Sequence, residues 1–208
     1  AKYFNEQFER LGVDYIDMYL IHNIIPENWE KVQKYNIIKF LEEQKAAGRI
    51  GHIGFSFHGD SKLFTEVIDA YSWEFCQIQL NYLDKDEQAT LKGLEYAASK
   101  GIDVIVMEPL KGGRITDNIP ESVQAIWDRA KEFGAVPSDR TPAEWAFRWV
   151  CAQPGVSLVL SGMSSFEQLE ENIRIFSMED LGEMSSGEQE VIDEVAAEYN
   201  SKIRYQCT

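Results

Sequence analysis

Three histidines, at positions 22, 52 and 58, are the side chains of this 208-residue sequence whose ordinary charge change falls near neutral pH. His22 closes a mostly apolar run, Tyr19-Leu20-Ile21-His22-Asn23, which places it where a covered strand meets its connecting loop. An imidazole there can orient a substrate or move a proton, and it can equally be a hydrogen-bonded structural residue. Cys76, Cys151 and Cys207 show no short metal-type spacing, and their odd number argues against a disulfide framework. Cys76 lies in a strand-like run and Cys151 in a helical one, where a thiol reads as a small buried apolar group.

The elements that carry these groups follow from hydrophobic pattern. Apolar runs rich in β-branched and aromatic residues at 15–21, 52–57, 75–82, 102–107 and 156–160 predict strands. Few of them alternate strictly, as expected when both faces of a parallel sheet are covered. Segments of helical period at 29–47, 62–71, 87–99, 142–152 and 166–176 alternate with them. Such alternation makes right-handed βαβ units, which close into a barrel or form a doubly wound sheet. Gly48 and Gly101 stand where a helix should end in a left-handed residue just before the next strand. The longer joins follow the strands, at 23–27, 58–60, 84–86, 111–120 and 161–165, and in a barrel that end carries the active site. Residues 121–133 predict an inserted helix followed by a polar loop, and 186–197 a terminal helix packed over the outside of the barrel.

Composition sets the outer limits. A 44% hydrophobic, 12% aromatic chain of this length suits one domain over 1–208. Its net charge of -15 makes nucleic acid and anionic membrane surfaces poor partners. No apolar stretch approaches the ~20 residues of a membrane-spanning helix, and residues 1–10 carry no signal-peptide core, so a cytoplasmic location is expected.

Five segments together resemble the aldo-keto reductase family. LGVDYIDMYLIH at 11–22 is similar to the family's fourth barrel strand, which ends in an active-site histidine. GRIGHIGFS at 48–56 resembles the fifth strand, QIQLNY at 77–82 the sixth, MEPLKGG at 107–113 the loop after the seventh, and SGMSSFEQLEENI at 161–173 the loop and helix after the eighth. They occur in family order and span nearly the whole chain. The resemblance implies an α/β fold, a parallel (β/α) TIM barrel, of which these residues are the last five of eight βα units plus a C-terminal helix. It also implies an NAD(P)(H)-dependent oxidoreductase that interconverts an aldehyde or ketone and an alcohol.

Carried over residue by residue, the resemblance implies that His22 orients a small-molecule carbonyl substrate while hydride arrives from NADP(H) or NAD(H). Ser56 and Gln77 match positions that hydrogen-bond the nicotinamide carboxamide; taken alone they read as a turn hydroxyl and a strand residue satisfied by backbone. Met107 stands where many members place an aromatic residue on the nicotinamide, and a thioether can pack there too. Pro109, Leu110, Lys111 and Gly112 match a loop over the cofactor pyrophosphate, with Lys111 offering a positive charge; alone, this is a mobile Gly-Gly loop. Glu171 and Asn172 match residues that reach the adenine, though alone they pass as helix-surface polars. Gly162 and Gln168 replace the lysine and arginine with which many NADPH-specific members hold the 2′-phosphate, so little preference for that phosphate is expected. Ser164 and Ser165 can still offer hydroxyl and amide donors.

The family's proton-donating tyrosine, with its supporting aspartate and lysine, lies upstream of the matched segments, and only Tyr3 precedes Leu11. The resemblance therefore implies a fragment lacking three strands, silent by itself, with two unpaired sheet edges that favour self-association or pairing with a missing fragment. The ending at 203–208 resembles a subfamily with a ferredoxin-like extension, in which Cys207 would be the first ligand of a [4Fe-4S] cluster in a longer parent; one cysteine cannot hold a cluster, and here it also reads as a free thiol. The competing readings are a non-catalytic module that binds nicotinamide cofactor as a sensor or interaction partner, and an unrelated β/α barrel enzyme.

Overall fold

The protein is described here from a computed structural model that covers residues 2–132 and 140–202. Five strands form a parallel sheet in the order β1-β2-β3-β4-β5: β1 is Ile16–Ile24, β2 Ile50–Phe57, β3 Phe75–Gln79, β4 Asp103–Met107 and β5 Val156–Val159. The helices are α1 (Lys2–Leu11), α2 (Pro26–Lys34), α3 (Ile37–Ala46), α4 (Ser61–Ala70), α5 (Thr90–Ser99), α6 (Glu121–Glu132), α7 (Pro142–Cys151), α8 (Phe166–Phe176) and α9 (Ser186–Lys202). Strand and helix alternate as the hydrophobic runs predict, and the sheet is open among the described residues. The chain forms two compact units, Ala1–Ile78 with Glu87–Ile105, and Gln79–Asp86 with Val106–Thr208.

In the first unit, Ile16 pairs with Ile50 and Ile21 with Phe55, and the register then shifts so that Ile24 meets Phe57. The predicted helix at 29–47 is two helices. Asn36 adopts a left-handed φ of 51° between them, a conformation asparagine tolerates better than most residues, and the chain restarts as α3 with the Phe40 N–H donating to the Asn36 carbonyl. Gly48 and Gly101 do end their helices in the left-handed region, at φ 71° and 74°. The residue after each donates back to a carbonyl five residues earlier, Arg49 to Gln44 and Ile102 to Ala97, closing the turn that leads into β2 and β4. The core is aromatic: Phe55 packs on Trp73 at 4.8 Å between ring centres, and Phe57 on Phe64 at 4.9 Å. Gly54 admits the Phe75 ring, because a Cβ there would lie 2.5 Å from it.

The second unit is built around α7. Each residue from Ala143 through Val150 is buried, Glu144 and Arg148 included. Trp145 stacks on Trp127 of α6 at 4.8 Å, and Ala143 and Phe147 join Ile175 and Leu181 in a second apolar cluster. A helix covered on all sides must neutralise its charges inside the fold. Glu144 does so with Arg148 at 3.2 Å and Arg174 at 3.1 Å, and Arg148 grips both oxygens of Asp180 at 3.1 Å. Burial works against the Arg148 charge, but Asp180 and Glu144 outweigh it and raise its pKa further. The predicted terminal helix is α9, and it extends to Lys202. It packs against α6 and α7, with Arg129 bonding Glu194 and Arg140 bonding Glu188. Cys76 is buried, and burial pushes its thiol up to about 12, consistent with an inert apolar role. Cys151 is partly covered, and burial raises its pKa too. Cys207 lies outside the described residues, as does most of the loop predicted after α6.

Two measurements probe this account. Nothing lies within 4 Å of a Cβ built on Gly101, so Gly101→Ala meets only backbone strain and is expected to lower stability by about 1 kcal/mol in denaturant unfolding. Glu74 is the second probe: burial disfavours its charge, yet Lys45 at 2.6 Å, the Ile53 N–H at 3.0 Å and His52 at 2.7 Å outweigh burial and hold the carboxyl at about 2, down from 4.5. Because the folded-state pKa is the lower one, this stabilisation is complete above pH 4.5 and disappears as pH falls through about 2. Wild type is expected to melt above Glu74→Gln at pH 6, with the gap closing as the pH is lowered across that window.

Candidate active site

The carboxyl end of β1 carries His22 on an exposed part of the strand, immediately before Asn23 at φ 59°. That turn is held from three directions. The Asn23 N–H donates to Ser56 Oγ at 2.8 Å, Asn28 Nδ2 donates to the Asn23 carbonyl at 2.8 Å, and the His58 N–H donates to the Ile24 carbonyl at 2.9 Å. Ser56 is 1% exposed and sits opposite Gln77 in the β2–β3 register. Its hydroxyl accepts from Asn23 and keeps a proton to donate. Ser56 thus acts on the backbone that presents the histidine, and Gln77 is its register neighbour on β3. Beside His22, a groove of about 450 Å³ is lined by α1 and β1 residues, among them Leu11, Met18 and Leu20.

The second unit contains a cavity of about 690 Å³, within the range of small-molecule sites. Met107, Pro109, Leu110, Gly112, Gly162, Gln168, Glu171 and Asn172 all line it. Below its loop lies Asn81, with no solvent exposure. Its side-chain oxygen accepts from the N–H groups of Leu83 at 3.1 Å and Asp84 at 3.0 Å, while its amide donates to Asp84 Oδ2 and to the Glu108 carbonyl, both at 3.1 Å. Asn81 thereby fixes Glu108 at its positive φ of 57°, where the chain leaves β4. Gln79 adds a 3.0 Å bond to Asp84, and Lys111 forms an ion pair with the same carboxylate. Lys111 does not line the cavity; its charge belongs to Asp84.

Gln168 also has a local task. Its side-chain oxygen accepts from the Ser164 N–H at 2.8 Å and the Ser165 N–H at 3.3 Å, and Ser165 Oγ accepts from the Gln168 N–H at 3.3 Å. This reciprocal cap occupies amide donors that a helix start could otherwise turn toward an anion. Asn172 donates to Ser161 Oγ at 2.9 Å, and Glu171 accepts from Thr141 at 2.6 Å. The lining includes the carboxylates Glu108, Asp117 and Glu171, and among the described residues no lysine or arginine. Acceptors in this number suit ligand groups that donate, such as amino and hydroxyl groups, and oppose a dianionic one. Among the described residues, no group of three or more His, Cys, Asp or Glu side chains could hold a metal ion, and no helix is long and apolar enough to cross a membrane.

Residues 1–194 match the sequence model of the Aldo/keto reductase family. The chain belongs to that family. It is 28% identical over 205 residues to L-galactose dehydrogenase of Arabidopsis thaliana, covering 94% of this chain and 62% of the relative. It is 26% identical over 189 residues to the NADH-specific methylglyoxal reductase of Escherichia coli, covering 79% of this chain and 55% of the relative. In fold it resembles the holo form of an aldo-keto reductase from Bacillus halodurans, with a TM-score of 0.73, 20% identity, and coverage of 93% of this chain and 63% of the other. The chain spans less than two thirds of the length of these relatives. The resemblance seen in its five ordered segments is family membership.

Several working residues carry no family label in the sequence. Thr141 and Asp84 matter through partners about thirty residues away, Glu171 and Lys111, and Asn81, though inside the QIQLNY segment, through its local turn to Leu83 and Asp84 and its reach to the Glu108 carbonyl. Thr141-Pro142-x-Glu144 does carry a readable helix-start signature, and Ser165-x-x-Gln168 is a readable capping box. Asn81→Leu would remove the side-chain partner of the Leu83 and Asp84 N–H groups, of Asp84 Oδ2 and of the Glu108 carbonyl, and is expected to lower stability by roughly 2 kcal/mol. Denaturant unfolding measures the loss, and limited proteolysis should show faster cleavage near 108–113.

Proposed function

We propose that the protein interconverts a small carbonyl compound and its alcohol with a nicotinamide cofactor, and that it favours the cofactor without a 2′-phosphate. The observation that carries the second half is the cavity lined by Glu108, Asp117 and Glu171 with no lysine or arginine side chain among the described residues. A 2′-phosphate would meet like charge at the Glu171 end, whereas a ribose hydroxyl or an adenine amino group would meet an acceptor. The relative from Escherichia coli, named as NADH-specific, supports the same choice.

When bound, the cofactor supplies or accepts hydride. His22, exposed at the end of β1, donates a hydrogen bond to the substrate carbonyl and so polarises it. Ser56 keeps that histidine in place by holding the Asn23 N–H, and its own proton, with the Gln77 amide beside it, is the proposed contact to the carboxamide. Glu171 and Asn172 take the adenosine end. The 208 residues are proposed to bind cofactor without turnover by themselves, since carbonyl reduction needs a proton donor in addition to a polarising histidine.

Titration of the purified protein with NADH and NADPH, followed by tryptophan quenching, tests the reading. NADH is expected to bind at least about tenfold more tightly, the equivalent of 1.4 kcal/mol. Tighter binding of NADPH would overturn the assignment of the carboxylate-lined cavity. His22→Ala should leave both affinities unchanged and abolish reduction of small aldehydes in whichever form of the protein turns over. Aldehyde reduction by the 208 residues alone would mean that another side chain supplies the proton.

A further inference from the structure

Between α7 and α8 the side chains form two rungs. Thr141 and Glu144 are three residues apart at the start of α7, and Glu171 and Arg174 are three apart on α8, so each pair lies on one helix face. Thr141 Oγ1 donates to Glu171 Oε1 at 2.6 Å, and Arg174 donates to Glu144 Oε2 at 3.1 Å. The two rungs differ in surroundings. Thr141 and Glu171 both line the cavity, while Glu144 is 4% exposed and is further held by Arg148. The Thr141 hydroxyl works in both directions: it also accepts from the Glu144 N–H at 3.2 Å and so caps the helix that carries it. An O–H···O⁻ bond of this length is of the strong, charge-assisted kind, and it anchors one oxygen of Glu171 while leaving the other for a ligand.

We infer that Thr141 is a positioning residue for nucleotide selection: it locks the Glu171 carboxylate into the cavity, where that carboxylate accepts from adenosine and repels a 2′-phosphate. This inference rests on the nucleotide reading of the cavity. A glutamate without the lock can rotate away from an incoming phosphate and relieve the repulsion, and it must also be ordered again when adenosine binds. The lock therefore acts on the ratio of the two affinities as well as on the tighter one. The Glu144–Arg174 rung holds the helices together and takes no part in the choice.

The test is a double-mutant cycle on the purified protein, with NADH and NADPH dissociation constants read by tryptophan quenching and thermal midpoints read alongside. Thr141→Val is expected to raise the NADH dissociation constant about fivefold and to reduce the NADH-over-NADPH preference by a similar factor. Thr141→Ser keeps both the cap and the lock and should preserve the wild-type ratio. Glu171→Gln should reduce the preference too, and adding Thr141→Val to it should change the ratio no further, because the threonine acts through the glutamate. Arg174→Gln should lower the thermal midpoint and leave the ratio intact. A Thr141→Val protein that loses thermal stability but retains the wild-type ratio would overturn the inference, as would full additivity with Glu171→Gln. Wild-type protein that binds neither nucleotide would overturn the nucleotide reading and this inference together, whereas normal wild-type selection with an insensitive Thr141 would overturn this inference alone.

Discussion

A carboxylate enclosed on every side is costly to keep ionised, by several kcal/mol unless cations and hydrogen bonds surround it, and Glu144 is such a group. Its partners are Arg148 of α7, Arg174 of α8 and, just before α7, Arg140 at 3.5 Å, and they hold α8 against α7. Arg148 carries the same requirement onward to Asp180, whose carboxyl is held below the usual range by that guanidinium. Arg140 does so to Glu188. Removing one member of such a set leaves its partner charged and buried, a larger penalty than the pair contributes when intact. The cavity of the second unit depends on this set, because Thr141 caps α7 and Glu171 and Asn172 stand mid-way along α8, the two helices it clamps.

The same economy of polar groups governs the loop and helix start around that cavity. Glycine-rich loops and helix amino termini are ready anion sites when their N–H groups are unoccupied. Here the fold has answered much of that demand internally. Gln168 turns its side chain onto the amides of Ser164 and Ser165, and Asp84 holds the ammonium of Lys111. Asn81 then fixes the Glu108 carbonyl so that the loop leaves β4 in one conformation. Ser164, Ser165 and Lys111 are therefore engaged within the protein, and carboxylate acceptors remain along the cavity lining.

The strand rhythm, the parallel class of sheet and the helix ends were legible before any coordinates. Period and β-branching mark the strands, and Gly48 and Gly101 mark left-handed helix ends, because these are preferences of a residue and its near neighbours. The order of five short motifs identified the family, and His22 stood out as a lone imidazole at a strand end. The break at Asn36 escaped this reading, since a continuous helical period ran across it and a single left-handed asparagine leaves little mark on a pattern of apolar spacing.

Partner choice was decided by tertiary structure. Nothing in the order of residues says that Lys111 pairs with Asp84, 27 positions away, or that Thr141 reaches Glu171, 30 positions away. Nor does it say that Ser56 holds the turn after His22 across the β1–β2 pair. Backbone preference acts over a few bonds and is written locally, whereas the partner of a buried polar group is whichever group the packed fold brings within about 3 Å of it. The sequence by itself determined which elements form and which family they compose; only the packing of those elements decided which charges stay inside the protein and which are left facing the cavity.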